Sequence, residues 1–192
     1  MKTLSLYLHK RVRDHIVSLE KILANAKTKK ELYKSIVNAP FTDKLLTTQW
    51  SLGIVVLLLV NEKTQTIDRI ALSNTDLAKG AVQMSSKRFE DIKIPLHHDE
   101  NIISQAIETG KRQETHDWKY LFVPDLTPEQ ARFNQAGAGI DASVVYPLKG
   151  YEPGGALIFS HFNLLQKLSG EQREFMKKYT QLVSDILSKH KN

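Results

Sequence analysis

Asp141-Ala142-Ser143-Val144-Val145-Tyr146-Pro147-Leu148, the turn Lys149-Gly150-Tyr151-Glu152-Pro153-Gly154-Gly155, and Ala156-Leu157-Ile158-Phe159-Ser160-His161 form two apolar runs joined by a glycine- and proline-rich link. The runs are short and rich in β-branched and aromatic residues, so they read as two buried strands that pair through the turn. After them, Ser169-Gly170-Glu171-Gln172 has the form of a capping box, in which a serine hydroxyl and a glutamine side chain satisfy free amides at a helix start. The helix it opens carries Phe175, Tyr179, Leu182, Val183, Ile186 and Leu187 on one face.

Upstream, Gly53-Ile54-Val55-Val56-Leu57-Leu58-Leu59-Val60 is β-branched and bounded by the polar stretch Asn61 to Gln65, which favours a strand buried on both faces. Its hairpin partner is Thr66 to Ser73, where apolar and polar residues alternate as in a half-exposed strand. Ile92 to Leu96 follows, and Asp99 is the expected cap of a helix over 100–109, ended by Gly110 in the left-handed conformation. Thr127-Pro128-Glu129-Gln130 combines a capping threonine, a proline at the first helical position and a glutamine at the third, and predicts a helix over 128–135.

At the N-terminus, Leu4, Leu8, Val12, Ile16, Leu19 and Leu23 recur at steps of three and four. They lay one narrow apolar stripe along a helix. A stripe that narrow needs a partner, either the C-terminal helix of the same chain or a second copy. Thr28-Lys29-Lys30-Glu31 has the capping-box form and predicts a second helix to Val37, closed by Asn38-Ala39-Pro40.

With 192 residues, 41% of them apolar, the chain can fill one core of ordinary size. The expected division is an amphipathic helix over 1–25 and a domain over 26–192. The uncharged run Leu52 to Val60 is under half of the roughly 20 residues a bilayer span needs, and no signal-peptide core forms at the start. The chain reads as soluble and cytoplasmic. Residues 1–34 hold nine Lys or Arg and three Asp or Glu, and the rest of the chain holds eighteen of each sign, so the whole net charge of +6 sits in the first helices. The charges surround a helix without interleaved aromatics, which fits a solvated face; nucleic-acid or membrane contact by this basic N-terminus is not expected.

Several residue clusters invite a chemical reading. His97-His98-Asp99-Glu100 has metal-ligand residue types, but adjacent residues point apart and the run reads as a solvated turn, so no metal site is expected. Ser160 and His161 are neighbours on a strand and face opposite sides, and no Gly-x-Ser-x-Gly elbow occurs. No catalytic residues are therefore assigned. Gly137-Ala138-Gly139 and Gly154-Gly155 suit turns, and no Gly-x-x-x-x-Gly-Lys loop is present.

The order strand, Pro147-Leu148, glycine-rich turn, Gly155-Ala156-Leu157-Ile158, Leu164-Leu165 and long helix resembles the closing half of GAF domains, the small-molecule-sensing modules of signalling proteins. Ile94-Pro95-Leu96 followed by a short helix ending Glu108-Thr109-Gly110 resembles a second signature of that family, and the likeness extends over residues 20–190. It implies an α+β fold: a central, mostly antiparallel sheet with helices on both faces and the N- and C-terminal helices packed together, as in GAF and PAS-like modules. PAS domains share the build but usually lack the flanking helices in these places. The resemblance also implies one or two short lid helices over 74–91 and a short strand over 111–115.

In GAF domains the ligand lies on one face of the sheet, beneath helices and loops. The matching positions here are Trp118, Tyr120 and Phe122, then Arg132 and Phe133, and the strand residues Ser143, Val145 and Tyr146. These side chains either line a ligand pocket or fill the core. With no cysteine, the chain lacks the bilin attachment residue of phytochrome-type GAF domains. For the same reason it cannot run the sulfenate chemistry of the GAF-type free methionine sulfoxide reductases. His161 and His116 could each be a haem ligand, although a histidine at a strand end is far more often hydrogen-bonded, and the cofactor is left unassigned. The Asn-Lys-x-x-x-Phe-x-x-x-Asp-Glu motif of cyclic-nucleotide GAF domains is absent. What the resemblance implies is a non-catalytic sensory or regulatory domain that binds a small effector and signals through its terminal helices. It would act as a homodimer or through a separate output protein. The alternative is an unliganded dimerisation or interaction module.

Overall fold

A computed structural model describes residues 2–162 and 167–190, with the side chains of residues 2–9, 45 and 46 outside the description. Strand β1 (Leu52–Asn61) is buried at all but its last position, as a strand covered on both faces must be. It pairs antiparallel with β2 (Thr66–Leu72) on one side and β6 (Gly155–His161) on the other. β6 pairs with β5 (Ala142–Pro147), Val144 facing Phe159 across the ladder. The short strands β3 (Lys93–Pro95) and β4 (Gln113–Thr115) close the edges, giving the antiparallel order β3-β2-β1-β6-β5-β4. The ribbon Ala142 to His161 is buried at every strand position.

Because side chains alternate along a strand, each apolar strand feeds two cores. One face sends Val55, Leu57, Leu59, Val144, Leu157 and Phe159 against helices α1 (Lys2–Ala24), α2 (Lys29–Asn38) and α8 (Gly170–Lys189). Full burial of a side chain such as Phe159 is worth roughly 1.5–3 kcal/mol. The terminal helices α1 and α8 pack on one another. Val12, Leu19 and Leu23 are buried there, so this part of the N-terminal stripe is covered within the chain, while the side chains of Leu4 and Leu8 lie outside the described residues. Tyr179 ties the layer together, its hydroxyl donating to Ile36 O at 2.6 Å while its ring stacks on Phe175. The other face sends Ile54, Val56, Leu58, Val145 and Ile158 against a second helical layer. That layer is α4 (Asp76–Gln83), α5 (Ile102–Thr109), α6 (Lys119–Phe122) and α7 (Pro128–Ala138).

The caps follow the local sequence with two corrections. Thr127 and Ser169 each accept from the amide three residues on, while Gln130 and Gln172 close the boxes as expected. At Thr28 the hydroxyl accepts from Glu31 N, but the Glu31 carboxylate takes Lys27 N, one residue before the cap. Helix α5 starts at Ile102 and not at 100, because the cap is Asn101, whose Oδ1 accepts from Ile103 N at 2.8 Å and whose amide donates to Val123 O at 2.7 Å. Asp99 and Glu100 lie in the turn before it. Gly110 ends α5 at φ 63°, where a side chain would be strained. Helix α3 (Lys44–Trp50) was not marked by any sequence signal. Leu164-Leu165 lies outside the described residues. Among these no helix is long and apolar enough to cross a membrane.

Candidate functional site

Between the sheet and the helical layer of α4, α6 and α7 lies a cavity of about 50 Å³. Its floor is Ile54 and Val56 of β1 with Ile158 and Ser160 of β6, alternate residues that share one face. Its roof is Ala81 and Val82 of α4, then Ser85 and Phe89 beyond it, and Trp118, Leu121 and Phe122. Asn134 of α7 closes one side. Trp118 and Phe122 reach the cavity together because a helical turn brings residues four apart to one side.

Roof and floor are joined by few polar links. Trp118 Nε1 donates to Ser143 Oγ at 2.9 Å, and Ser143 Oγ lies 2.8 Å from Ser160 Oγ at the cavity wall. Asn134 is 2% exposed. Its amide nitrogen donates to Met84 O at 2.9 Å and its oxygen accepts from Ser85 Oγ at 3.2 Å. Helices α4 and α7 touch through glycines: a Cβ on Gly80 would stand 3.0 Å from Gly137 O, and one on Gly137 would stand 2.9 Å from Met84 Cβ.

The residue that sets the chemistry is Arg69 of β2. It is 8% exposed, and its Nε and Nη2 are buried with no hydrogen-bond partner among the described residues. Its guanidinium carbon lies 4.4 Å from the ring centre of Phe122 and 5.6 Å from that of Phe89. A β-bulge puts it there: Leu58 pairs with Arg69 while Leu57 pairs with Ala71, so Ile70 is the extra residue. Ile70 and Ala71 then both pack toward the terminal-helix core, and Leu72 returns to the cavity. Burial pulls the Arg69 pKa down to about 10, against the opposing field of Asp125, so the side chain stays charged at neutral pH. Asp125 accepts from Lys87 Nζ at 2.8 Å through one oxygen, and its other oxygen is buried with no hydrogen-bond partner among the described residues.

No family model matches the chain, and no curated protein sequence matches it. Solved structures do. The GAF domain of an Acinetobacter phosphoenolpyruvate-protein phosphotransferase superposes with a TM-score of 0.62 at 9% identity over 92% of each chain. This chain has the GAF fold. A methyl-accepting chemotaxis protein fragment gives 0.60 at 11% identity, over 89% of this chain and 95% of that one. The free methionine-R-sulfoxide reductase of Neisseria meningitidis, in complex with its substrate, gives 0.58 at 12% identity, over 93% and 90%.

On this GAF fold the residues picked from the sequence separate. Trp118 and Phe122 line the cavity, Ser143 stands behind Ser160, and Val145 is buried in the same layer. Tyr120 is 39% exposed with the Lys119 ammonium over its ring, since two residues along a helical turn face nearly opposite ways. Arg132 is exposed and holds Asp117 through Nε and Nη2 at 3.0 and 2.8 Å, and Phe133 is 61% exposed. Tyr146 belongs to the opposite face of the sheet, where its hydroxyl donates to Arg173 O, because strand neighbours cannot share a side.

Arg69, Ser85, Asn134 and Ser160 were not picked as site residues. The one available signal was a charge at position 69 in the same strand phase as the apolar Ile67. His161 is buried on the face away from the cavity, with Nδ1 3.0 Å from Trp50 O. His116 is exposed against Asp141 O, and His97 pairs with Glu108. Among the described residues no group of three His, Asp or Glu is placed to hold a metal.

Proposed function

We propose that this chain is a non-catalytic sensory domain whose small effector binds in the cavity between the sheet and α4. The observation that carries the reading is a buried cation and a set of inward polar groups, Ser160, Asn134 and Ser85, held in an otherwise apolar, aromatic-lined site. Of these groups Arg69 alone has buried donors without a partner among the described residues, and a charged donor left so is the costly case in a core. Likeness to a chemotaxis protein fragment and to a domain that binds its substrate supports a small-molecule site in this fold. At about 50 Å³ the site admits the head of a ligand and not a whole drug-sized molecule, which needs roughly 300 Å³ or more. Binding therefore shifts α4 and the segment after it.

The relay to the far side runs through β6. Ile158 and Ser160 face the cavity, and Phe159 between them meets Tyr146 at 6.0 Å and Tyr179 of α8 at 6.5 Å between ring centres. A shift of β6 on binding reaches the terminal helices, which pass it to a second copy or to a separate output protein. Thermal melting against nucleotides, amino acids, haem and small aromatic acids tests the reading. One class raises the midpoint, by about 2.7 kcal/mol of added stability at a hundredfold excess over Kd. A midpoint that no compound moves would leave an interaction module in its place.

A further inference from the structure

We infer that the effector is a monocarboxylate with a short apolar or aromatic tail, its carboxylate received by Arg69. The inference rests on the sensory reading of the cavity and adds the chemical class. Three observations on the site lead to it.

First, the guanidinium is built for an acceptor it does not have. Phe122 and Phe89 lie against it, and a ring face attracts the cation without accepting in-plane N–H bonds. Nε and Nη2, both buried and without a partner among the described residues, lie on one edge of the guanidinium, the edge that grips a carboxylate through two parallel bonds. Second, the carboxylate whose field reaches Arg69 is already engaged: Asp125 accepts from Lys87 Nζ at 2.8 Å, and no hydrogen bond joins it to Arg69 among the described residues. A carboxylate needs only the one guanidinium edge, whereas a phosphate dianion calls for further donors, and no second guanidinium or glycine-rich loop lines the cavity to supply them. Third, apart from Ser85, Asn134 and Ser160 the remaining walls are apolar, Ile54, Val56, Leu72, Ile158 and Trp118 among them, which favours hydrocarbon beside the charged head. The neutral amide of the same shape offers one carbonyl oxygen to this edge and turns its NH2 toward the other Arg69 donor, leaving that donor unmade and losing the charge attraction.

The experiment uses the full chain at constant pH and ionic strength, with calorimetry and thermal melting. Propanoate, 3-methylbutanoate and phenylacetate are each compared with the corresponding amide, and sodium sulfate and phosphate form a separate arm. At least one acid is expected to bind ten times or more as tightly as its amide. Arg69→Met should remove that preference and Arg69→Lys should reduce it, the ammonium keeping the charge and losing the fork. Equal binding of acid and amide, a preference that survives in Arg69→Met, or inorganic anions binding as tightly as the acids would each overturn the inference while leaving a small-molecule site in place. Binding by none of the probes overturns it too, and the broader melting panel then decides the sensory reading on its own. Should Arg69→Met not fold, the acid and amide comparison on the unaltered chain settles the matter.

Discussion

At the scale of single residues, Arg69 is where function and stability oppose each other. Burial that brings a guanidinium down to about 10 weighs on the charged form by roughly 3 kcal/mol. Contact with Phe122 and Phe89 returns about 2 kcal/mol or less. The penalty wins, so Arg69→Met should stabilise the ligand-free protein by about 1 kcal/mol, raising its thermal midpoint by roughly 2–4 °C. A fall in the midpoint would mean that the arginine is a structural prop. Reading 66–72 as a simple alternating strand hides this residue, because alternation puts Arg69 and Ala71 on one face. The bulge at Ile70 separates them, and its place depends on pairing with β1 and not on any residue type within β2.

Among the elements, α4 is the part of the site most easily moved. It leans on α7 through Gly80 and Gly137, and it exposes Val82 at 43% and Met84, just past its end, at 46%. Gly137→Ala adds about 1 kcal/mol of helix propensity. The new methyl would also stand 2.9 Å from Met84 Cβ, an overpacking that typically costs about 1–3 kcal/mol. The clash prevails: the midpoint should fall, and hydrogen exchange should quicken over residues 80–91. Met84→Ala in the same chain should restore part of both, since it removes Met84 Cγ, which the methyl meets most closely, and leaves Cβ in place. No recovery in the double variant would place the strain elsewhere. Helix starts were readable where a side chain caps locally, as at Thr127 and Ser169. At α5 two capping residue types, Asp99 and Asn101, stand two positions apart, and the bond from the Asn101 amide to Val123 O, a contact across the fold, goes with Asn101 as the cap.

For the whole molecule, the terminal-helix layer carries two buried imidazoles whose protonation should set acid stability. Burial lowers the pKa of His161, although Trp50 O and the charge of Glu114 raise it. Burial also lowers that of His15, with Asp43 and Pro40 O raising it and Arg11 lowering it further. Both are neutral in the native protein at pH 7. As the pH falls through about 6.5 the unfolded chain takes up protons that the native chain refuses. Their contribution is thus complete above pH 6.5 and declines below it, by up to about 1.4 kcal/mol per histidine per pH unit. Urea melts between pH 7.5 and 5 should show the fall, and His161→Gln, which keeps an amide donor for Trp50 O, should make it shallower. A flat profile would show that neither imidazole is shielded from water in solution.

Local pattern alone determined that this chain makes buried strands at 53–60, 142–147 and 156–161 and capped helices after Thr28, Thr127 and Ser169, and the order of these pieces, through its resemblance to GAF domains, implied the layered α+β fold. Strand period, helix period and capping chemistry act within a few residues, and the side chains that obey them are adjacent in the chain. Tertiary structure decided which side chains meet. It turned Tyr120, Phe133 and Arg132 outward, sent Tyr146 to the far face, and brought Arg69, Asn134 and Ser160 around one cavity. A bulge fixed by cross-strand register and the helical turn Lys119–Phe122 produce that outcome. Both are settled by contacts between segments tens of residues apart, which no local period records.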